Sequence, residues 1–266
     1  MTIEILRSDE QAPLNPILGR TVAVIGYGNQ GSAHARNLRE SGATVIVGNR
    51  PGSPNAERAI EAGFTVIEIA QAVERADLAI IALPDEVHAN VYRDSIGPAL
   101  RSGTTLGFLH GFSIRYGIIE PPDDVGVVMV APKGPGTLLR QLYEQGIGLP
   151  SLFAVHQESP ANDAEQLARA WANGIGSARA AIVRTTFANE AETDLFGEQA
   201  VLCGGMTWLM LAAFETLVDA GYPPELAYLE CCHEVKQIAD LVYERGMSAV
   251  MQAISNTAEF GAYEAG

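Results

Sequence analysis

Thr21-Val22-Ala23-Val24-Ile25-Gly26-Tyr27-Gly28-Asn29-Gln30-Gly31 is the stretch that decides the fold of this chain. A run of β-branched residues around one alanine reads as a buried strand, and a Gly-x-Gly-x-x-Gly turn follows at once. From Asn29 an amphipathic pattern runs to residue 41 and stops at Gly42. Strand, glycine turn and helix in that order open a dinucleotide-binding unit. The first glycine permits a tight turn, the second lets a pyrophosphate approach the backbone, and the third lets helix and strand pack closely. The helix N-terminus then faces the phosphates. A glycine turn without a ligand is the weaker reading, because both flanking elements are in place.

Outward from that stretch the alternation continues. Short apolar runs at residues 44–47, 65–67, 78–83, 104–109, 126–130, 152–155 and 180–183 read as strands. Helical patterns at 55–62, 69–76, 86–100 and 161–173 lie between them. Strands alternating with helices mean βαβ units, so residues 1–183 are expected to form a Rossmann-like α/β domain with a parallel sheet. Past Arg184 no alternating run survives. Residues 191–220 are apolar at nearly every position apart from a few carboxylates, which reads as a buried helix bent at Gly204-Gly205. Gly221-Tyr222-Pro223-Pro224 breaks it, and a second helix is expected over 225–245, ended by Gly246. Residues 184–266 are thus expected to be an all-α domain. A helix apolar around most of its circumference exceeds what so small a domain covers alone, which predicts a homodimer built through this domain.

Composition narrows the function. In 266 residues, 47% are hydrophobic and 18% charged, enough apolar material for a real core. The net charge of −15 argues against nucleic acid or an anionic membrane as partner. No apolar run reaches the ~18 residues of a membrane span. The N-terminal residues lack a basic segment followed by an apolar one, so a cytoplasmic protein is expected. Cys203, Cys231 and Cys232 have neither disulfide-framework nor zinc-type spacing. Only two lysines, Lys133 and Lys236, occur among 17 basic residues.

Candidate chemistry gathers where strands end. The second strand runs into Gly48-Asn49-Arg50-Pro51-Gly52-Ser53. NAD-binding units usually carry an acidic residue there. A cation and a hydroxyl suit the 2′-phosphate of NADP instead, unless Arg50 is merely a solvated loop charge. Leu83-Pro84-Asp85-Glu86, Leu109-His110-Gly111-Phe112 and Pro132-Lys133-Gly134-Pro135-Gly136 follow the next strands, at the sheet edge where such folds bind ligands. His110 is a candidate proton donor or acceptor, and Lys133 puts an ammonium on a rigid loop. Glu190, Asp194 and Glu198 stand at i, i+4, i+8, and Glu230 and Glu234 at i, i+4, in largely apolar helices. One such pair is ordinarily a solvated stripe. Two pairs in apolar helices repel unless a cation sits between them, and carboxylate oxygens suit Mg²⁺ or Mn²⁺. Together these features suggest a metal-dependent NADP oxidoreductase whose metals polarise oxygens of a bidentate substrate.

From about Leu14 to the last residue the chain resembles the short-form (class I) ketol-acid reductoisomerases. The resemblance is carried by Val24 to Gly31, Leu83-Pro84-Asp85-Glu86, His110-Gly111-Phe112, Ala131 to Gly136, Ile254-Ser255-Asn256-Thr257-Ala258-Glu259 and, most specifically, Glu192-Thr193-Asp194-Leu195-Phe196-Gly197-Glu198-Gln199-Ala200-Val201-Leu202-Cys203-Gly204-Gly205. It implies a knotted all-α C-terminal domain and a two-step reaction in valine, leucine and isoleucine biosynthesis. An Mg²⁺-dependent alkyl migration in acetolactate or 2-aceto-2-hydroxybutyrate is followed by hydride reduction from NADPH to a 2,3-dihydroxy acid. By motif match, Asp194 bridges two Mg²⁺ ions and Glu198 joins it at one. Glu230 and Glu234, from a partner chain, belong to the second. Ser255 touches the substrate carboxylate, while His110, Lys133 and Glu198 are the expected catalytic side chains. Gly26, Tyr27, Gly28, Asn29, Gln30, Gly31, Arg50, Ser53, Asn55, Asp85, Glu86, Val87, His88 and Gly136 are expected to line the cofactor.

Three departures from the family pattern bear on these expectations. Asn55, after Pro54, stands where the family often has a second serine, so use of NADH beside NADPH is foreseen. Ser113-Ile114-Arg115-Tyr116 replaces a commoner Asn-Ile-His-Phe. The sequence ends at Tyr263-Glu264-Ala265-Gly266, where the family normally continues with further helices. The alternative readings are a reductase of another 2-keto acid or imine, and a non-catalytic nucleotide-binding relative.

Overall fold

A computed structural model describes residues 3–161 and 163–265. The elements run β1 (Ile5–Leu6), β2 (Thr21–Ile25), α1 (Asn29–Glu40), β3 (Thr44–Gly48), α2 (Pro54–Glu61), β4 (Thr65–Ile67), α3 (Ile69–Arg75), β5 (Leu78–Ile81), α4 (Asp85–Val91), β6 (Thr105–Phe108) and α5 (Phe112–Arg115). They continue with β7 (Gly126–Pro132), α6 (Gly136–Glu144), β8 (Ser151–Gln157), α7 (Ala164–Gly174), β9 (Ile182–Arg184) and α8 (Phe187–Phe196). The nine strands form one sheet in the order β1-β9-β8-β7-β6-β5-β2-β3-β4. From β4 to β7 all neighbours are parallel, and the chain reverses its direction of winding between β2 and β5. That reversal is the switch point at which doubly wound sheets bind ligands.

The pleat sorts the core onto two faces. Val24, Ile80, Val128 and Val130 pack with Leu38 and Trp171 on one side. Their chain neighbours Ile25, Ile81, Val127 and Met129 pack with Val73, Ile96 and Phe187 on the other. Strands buried on both faces read as continuous apolar runs, which is why the sequence located them closely.

The sheet is mixed, not parallel throughout. β8 runs antiparallel to β7, with Ser151 opposite Pro132, and β1 runs antiparallel to β9. The intervening helix α6, absent from the sequence reading, packs on α1 through Arg140, which binds Asn37, Glu40 and Glu144. The chain then turns at Gly146 and Gly148, both with positive φ, and re-enters the sheet at the end it left. An apolar run reports burial but not direction, so this reversal left no trace in the pattern.

Compact units divide between Thr193 and Asp194, inside α8. The second unit contains α9 (Gly205–Asp219), α10 (Pro224–Tyr228), α11 (Val235–Arg245), α12 (Met247–Ala253) and α13 (Asn256–Ala265). Three expected helices are corrected. The 86–100 helix passes from α4 into a π-helical turn at Tyr92–Ile96 and a 3₁₀ turn at Gly97–Ala99, where Pro98 cannot donate. The 191–220 helix is interrupted by a π-helical segment at Gly197–Leu202, and the 225–245 helix by one at Leu229–His233. Nor is the 191–220 segment buried beyond Ala191: Trp208 is 69% and Leu209 72% exposed, and α9 has no buried residue. One short helical unit has too little surface to cover it. The helical run Phe187–Asp219, in which an 18-residue window reaches a mean hydropathy of 1.6, is also long and apolar enough by composition to cross a membrane, contrary to the sequence count. Scattered carboxylates and glycines hid its length.

Candidate functional site

Every loop singled out in the α/β unit leaves the same, C-terminal edge of the sheet. The glycine turn follows β2, Asn49 to Ser53 follow β3, Leu83 to Asp85 follow β5, His110 follows β6 and Lys133 follows β7. Parallel pairing from β3 through β7 brings them together.

In the glycine turn, Gly26 has φ +98°, and a Cβ there meets the Ala82 carbonyl oxygen at 2.6 Å. A Cβ on Gly31 meets the Gly26 carbonyl oxygen at 2.4 Å, so helix and strand touch through backbone. Gly28 faces open space, as approach by a pyrophosphate requires. The turn is braced from β7. Gln30 Nε2 donates to the Gly134 carbonyl at 2.9 Å and Thr137 N donates to Asn29 Oδ1 at 3.2 Å. Gly136 lies so close that a Cβ added there would meet the Asn29 carbonyl oxygen at 2.3 Å. Gly136 thus backs the turn. Gly136→Ala is expected to force the two loops apart at a cost of roughly 1–3 kcal/mol, about five- to a hundredfold in dinucleotide affinity. Fluorescence titration with a reduced dinucleotide measures it, and unchanged affinity refutes the brace.

Other expected cofactor residues are engaged locally. The Tyr27 ring is buried, 5.6 Å from Phe64, and its hydroxyl accepts from Arg36 Nε at 3.2 Å. Arg50 is exposed. Ser53 Oγ caps α2 by accepting from Ala56 N at 3.3 Å. Asn55 Oδ1 accepts from Arg58 Nη1 at 3.1 Å. Asp85 and Glu86 are exposed at the start of α4, and Val87 is half-buried. His88 turns inward. Its Nε2 lies 3.0 Å from the Leu83 carbonyl, which only accepts, so Nε2 carries the proton and Nδ1 accepts from Ser113 Oγ at 2.7 Å. His88 fixes the turn after β5 instead of facing the edge.

The electrostatic centre of this edge is Glu190, in the first turns of α8 and 1% exposed. Its Oε1 accepts from Lys133 Nζ at 2.8 Å. Its Oε2 accepts from His110 Nδ1 at 2.8 Å and from the Gly111 N–H at 2.7 Å. Burial alone pushes the Glu190 pKa up. The hydrogen bonds from His110 and Lys133, with the charge of Lys133, outweigh it and hold the carboxyl below its ordinary value. A carboxylate can only accept, so His110 Nδ1 carries a proton. Gly111 makes the approach possible, since a Cβ there meets the Phe187 carbonyl oxygen at 2.2 Å. The sequence reading placed Glu190 in the carboxylate stripe and gave it no role at His110. The one available signal was a carboxylate at the start of an apolar helix, in a chain with a lone lysine at its sheet edge.

In the second unit, Glu198 lies in the π-helical segment after α8 and Glu230 in the one after α10. Glu234 is the N-cap residue just before α11, and all three are exposed, while Asp194, one turn after Glu190 in α8, is half-buried. Ser255 Oγ caps α13, accepting from Ala258 N at 3.2 Å.

Comparison with known proteins identifies these features. Residues 16–181 match the acetohydroxy acid isomeroreductase NADPH-binding domain, and residues 187–266 the ketol-acid reductoisomerase C-terminal domain. An NADH-preferring ketol-acid reductoisomerase from an uncultured archean is 46% identical, with a TM-score of 0.93 over 98% of this chain and 80% of that one. A semialdehyde dehydrogenase NAD-binding protein from Cupriavidus necator is 20% identical, with a TM-score of 0.73 over 94% of this chain and 91% of that one. Plasmodium falciparum pyrroline carboxylate reductase is 15% identical, with a TM-score of 0.56 over 93% and 90%. The last two share the fold alone.

Proposed function

The chain belongs to the ketol-acid reductoisomerase family, and from that premise we propose how its residues serve a nicotinamide-dependent reductoisomerase of branched-chain amino-acid synthesis. The substrate is acetolactate or 2-aceto-2-hydroxybutyrate and the product a 2,3-dihydroxy acid. The observation that carries the reading is the Glu190 clamp, which presents His110 and Lys133 together at the edge where the glycine turn opens. His110, its Nδ1 proton directed at Glu190, exchanges a proton with a substrate oxygen. The Lys133 ammonium stabilises negative charge growing on that oxygen. Ser255 binds the substrate carboxylate.

Asp194, Glu198, Glu230 and Glu234 form an all-oxygen donor set, the chemistry that suits a hard divalent cation. Two Mg²⁺ ions held there would lower the pKa of the substrate's tertiary hydroxyl and polarise the neighbouring ketone, and a nicotinamide bound at the glycine turn would supply hydride. Exposure of Glu198, Glu230 and Glu234 in the single chain, with that of the apolar side chains of α9, supports a homodimer that completes the site. A cytoplasmic enzyme follows from the same reading.

Acetolactate turnover with NADPH tests it. Chelation of divalent ions is expected to abolish product formation, and Mg²⁺ to restore it, while NADPH binding measured by fluorescence persists. Full turnover in chelator overturns the metal assignment, and no turnover with both cofactors present overturns the activity.

Arg50 and Ser53 support NADPH as the preferred donor, with NADH tolerated. Arg50→Ala is expected to weaken NADPH roughly ten- to a hundredfold and NADH much less, the worth of a charge-assisted hydrogen bond to phosphate. kcat/KM with each cofactor measures the split, and equal losses remove Arg50 from the phosphate site.

A further inference from the structure

Between α1 and α2 lies a cleft of about 300 Å³ lined by Tyr27, Ser32, Arg36, Arg58, Glu61 and Ala62. Nothing in the reaction described above uses it. It runs along both helices that start at the dinucleotide edge. Tyr27 is part of the glycine turn, and Ser32 lies in the first turns of α1, its Oγ donating to the Asn29 carbonyl at 3.1 Å. On the other wall, Arg58 reaches back along α2 and donates from Nη1 to Asn55 Oδ1 at 3.1 Å. That bond has two consequences. It puts a guanidinium directly beside the loop that carries Arg50 and Ser53. It also occupies the amide oxygen of Asn55, so the group Asn55 has left to offer is its Nδ2 donor. Across the cleft, Arg36 is held by the bond from its Nε to the Tyr27 hydroxyl at 3.2 Å. Two guanidinium groups and one carboxylate, that of Glu61 at the far end of α2, line the cleft.

We infer that Arg58 is a specificity-determining residue for the 2′-phosphate of NADPH, acting with Arg36 across this cleft. Arg58 supplies the cation, and turns Asn55 into a donor, at a loop that lacks a second serine. This rests on the reading of Arg50 and Ser53 as the phosphate loop. A guanidinium bonds phosphate through several donors at once, whereas the 2′-hydroxyl of NADH gains little from it.

Isothermal titration of the whole protein with 2′,5′-ADP and with ADP tests the proposal without turnover. The parent is expected to prefer 2′,5′-ADP. Arg58→Gln is expected to weaken 2′,5′-ADP roughly ten- to a hundredfold and to leave ADP within about twofold. Arg36→Gln acts in the same direction, and Arg58→Lys keeps part of the preference. Arg58 is exposed, so these variants fold. A parent that prefers 2′,5′-ADP and loses this in Arg50→Gln but not in Arg58→Gln overturns the role of Arg58 alone. A parent with no preference overturns the phosphate-loop reading and this inference with it.

Discussion

Glu190→Gln is expected to lower kcat by about two to four orders of magnitude, the range lost when a positioned proton-transfer group fails. The carboxylate accepts three hydrogen bonds, one on Oε1 and two on Oε2. A carboxamide has one accepting oxygen and one donating nitrogen. Either orientation sets an N–H₂ against a donor, the Lys133 ammonium on one side or the His110 and Gly111 N–H groups on the other. The Lys133 charge also loses its nearest buried countercharge, and His110 loses the acceptor that fixes its tautomer. The glycine turn makes no hydrogen bond to Glu190, so NADPH affinity is expected to stay within about twofold of the parent. Since the carboxyl is held below its ordinary value of 4.5, it stays charged through the neutral range, and loss of its charge begins only in acid below that value. Single-turnover kinetics with separate NADPH titration decides the matter. A parental kcat in Glu190→Gln removes the clamp from the mechanism, and parallel loss of NADPH binding shows that the substitution disturbs the fold.

The contrast between Glu190 and the glycine turn shows what a sequence can disclose. Gly26, Gly28 and Gly31 act within six residues, and each glycine answers a local need, so strand, turn and helix were readable together. Glu190 acts on His110 and Lys133, 80 and 57 positions away in the chain, and no periodicity records such a meeting. The i, i+4 spacing that joined it to Asp194 was real, but it described a helix face and not the partners opposite. His88 erred the other way. It follows the Leu83-Pro84-Asp85-Glu86 motif closely and was expected to line the cofactor, yet its ring turns into the core to hold Leu83 and Ser113. Strand positions were legible because burial on both sheet faces leaves a continuous apolar run. The antiparallel entry of β8, the two-residue β1 and the π-helical turns at Glu198 and Glu230 depend on tertiary pairing or on a single extra residue per turn. Neither has a compositional mark.

Acid is expected to destabilise the α/β unit through His34, well before the carboxylates are reached. His34 is fully buried in α1, and its Nδ1 accepts from Trp171 Nε1–H at 2.9 Å, with the rings edge-on at 5.6 Å. The proton of the neutral ring is therefore on Nε2, a buried atom without a hydrogen-bond partner among the described residues. Burial pushes the pKa from 6.5 down to about 3. A second proton finds no counter-charge there, and placing it on Nδ1 breaks the bond to Trp171. The folded pKa lies below the unfolded one, so the unfolded chain binds more protons between about pH 6.5 and 3. Stability is complete above that window and falls as pH drops through it, by on the order of 3 kcal/mol at about pH 4.5 from this residue alone. His34→Gln keeps an acceptor for Trp171 but does not titrate. Its stability at neutral pH is expected to be lower, because a flexible amide fills the space of the ring poorly. On acidification, however, it is expected to lose roughly 3 kcal/mol less than the parent between about pH 7 and 4.5. Asp163, Glu165 and Glu190, whose pKa values are held down, lose their contributions at lower pH, and do so equally in both proteins. Urea unfolding at the two pH values gives the difference directly. Parallel losses in parent and variant place a charged group near His34 in the folded chain and remove it as the source of acid sensitivity.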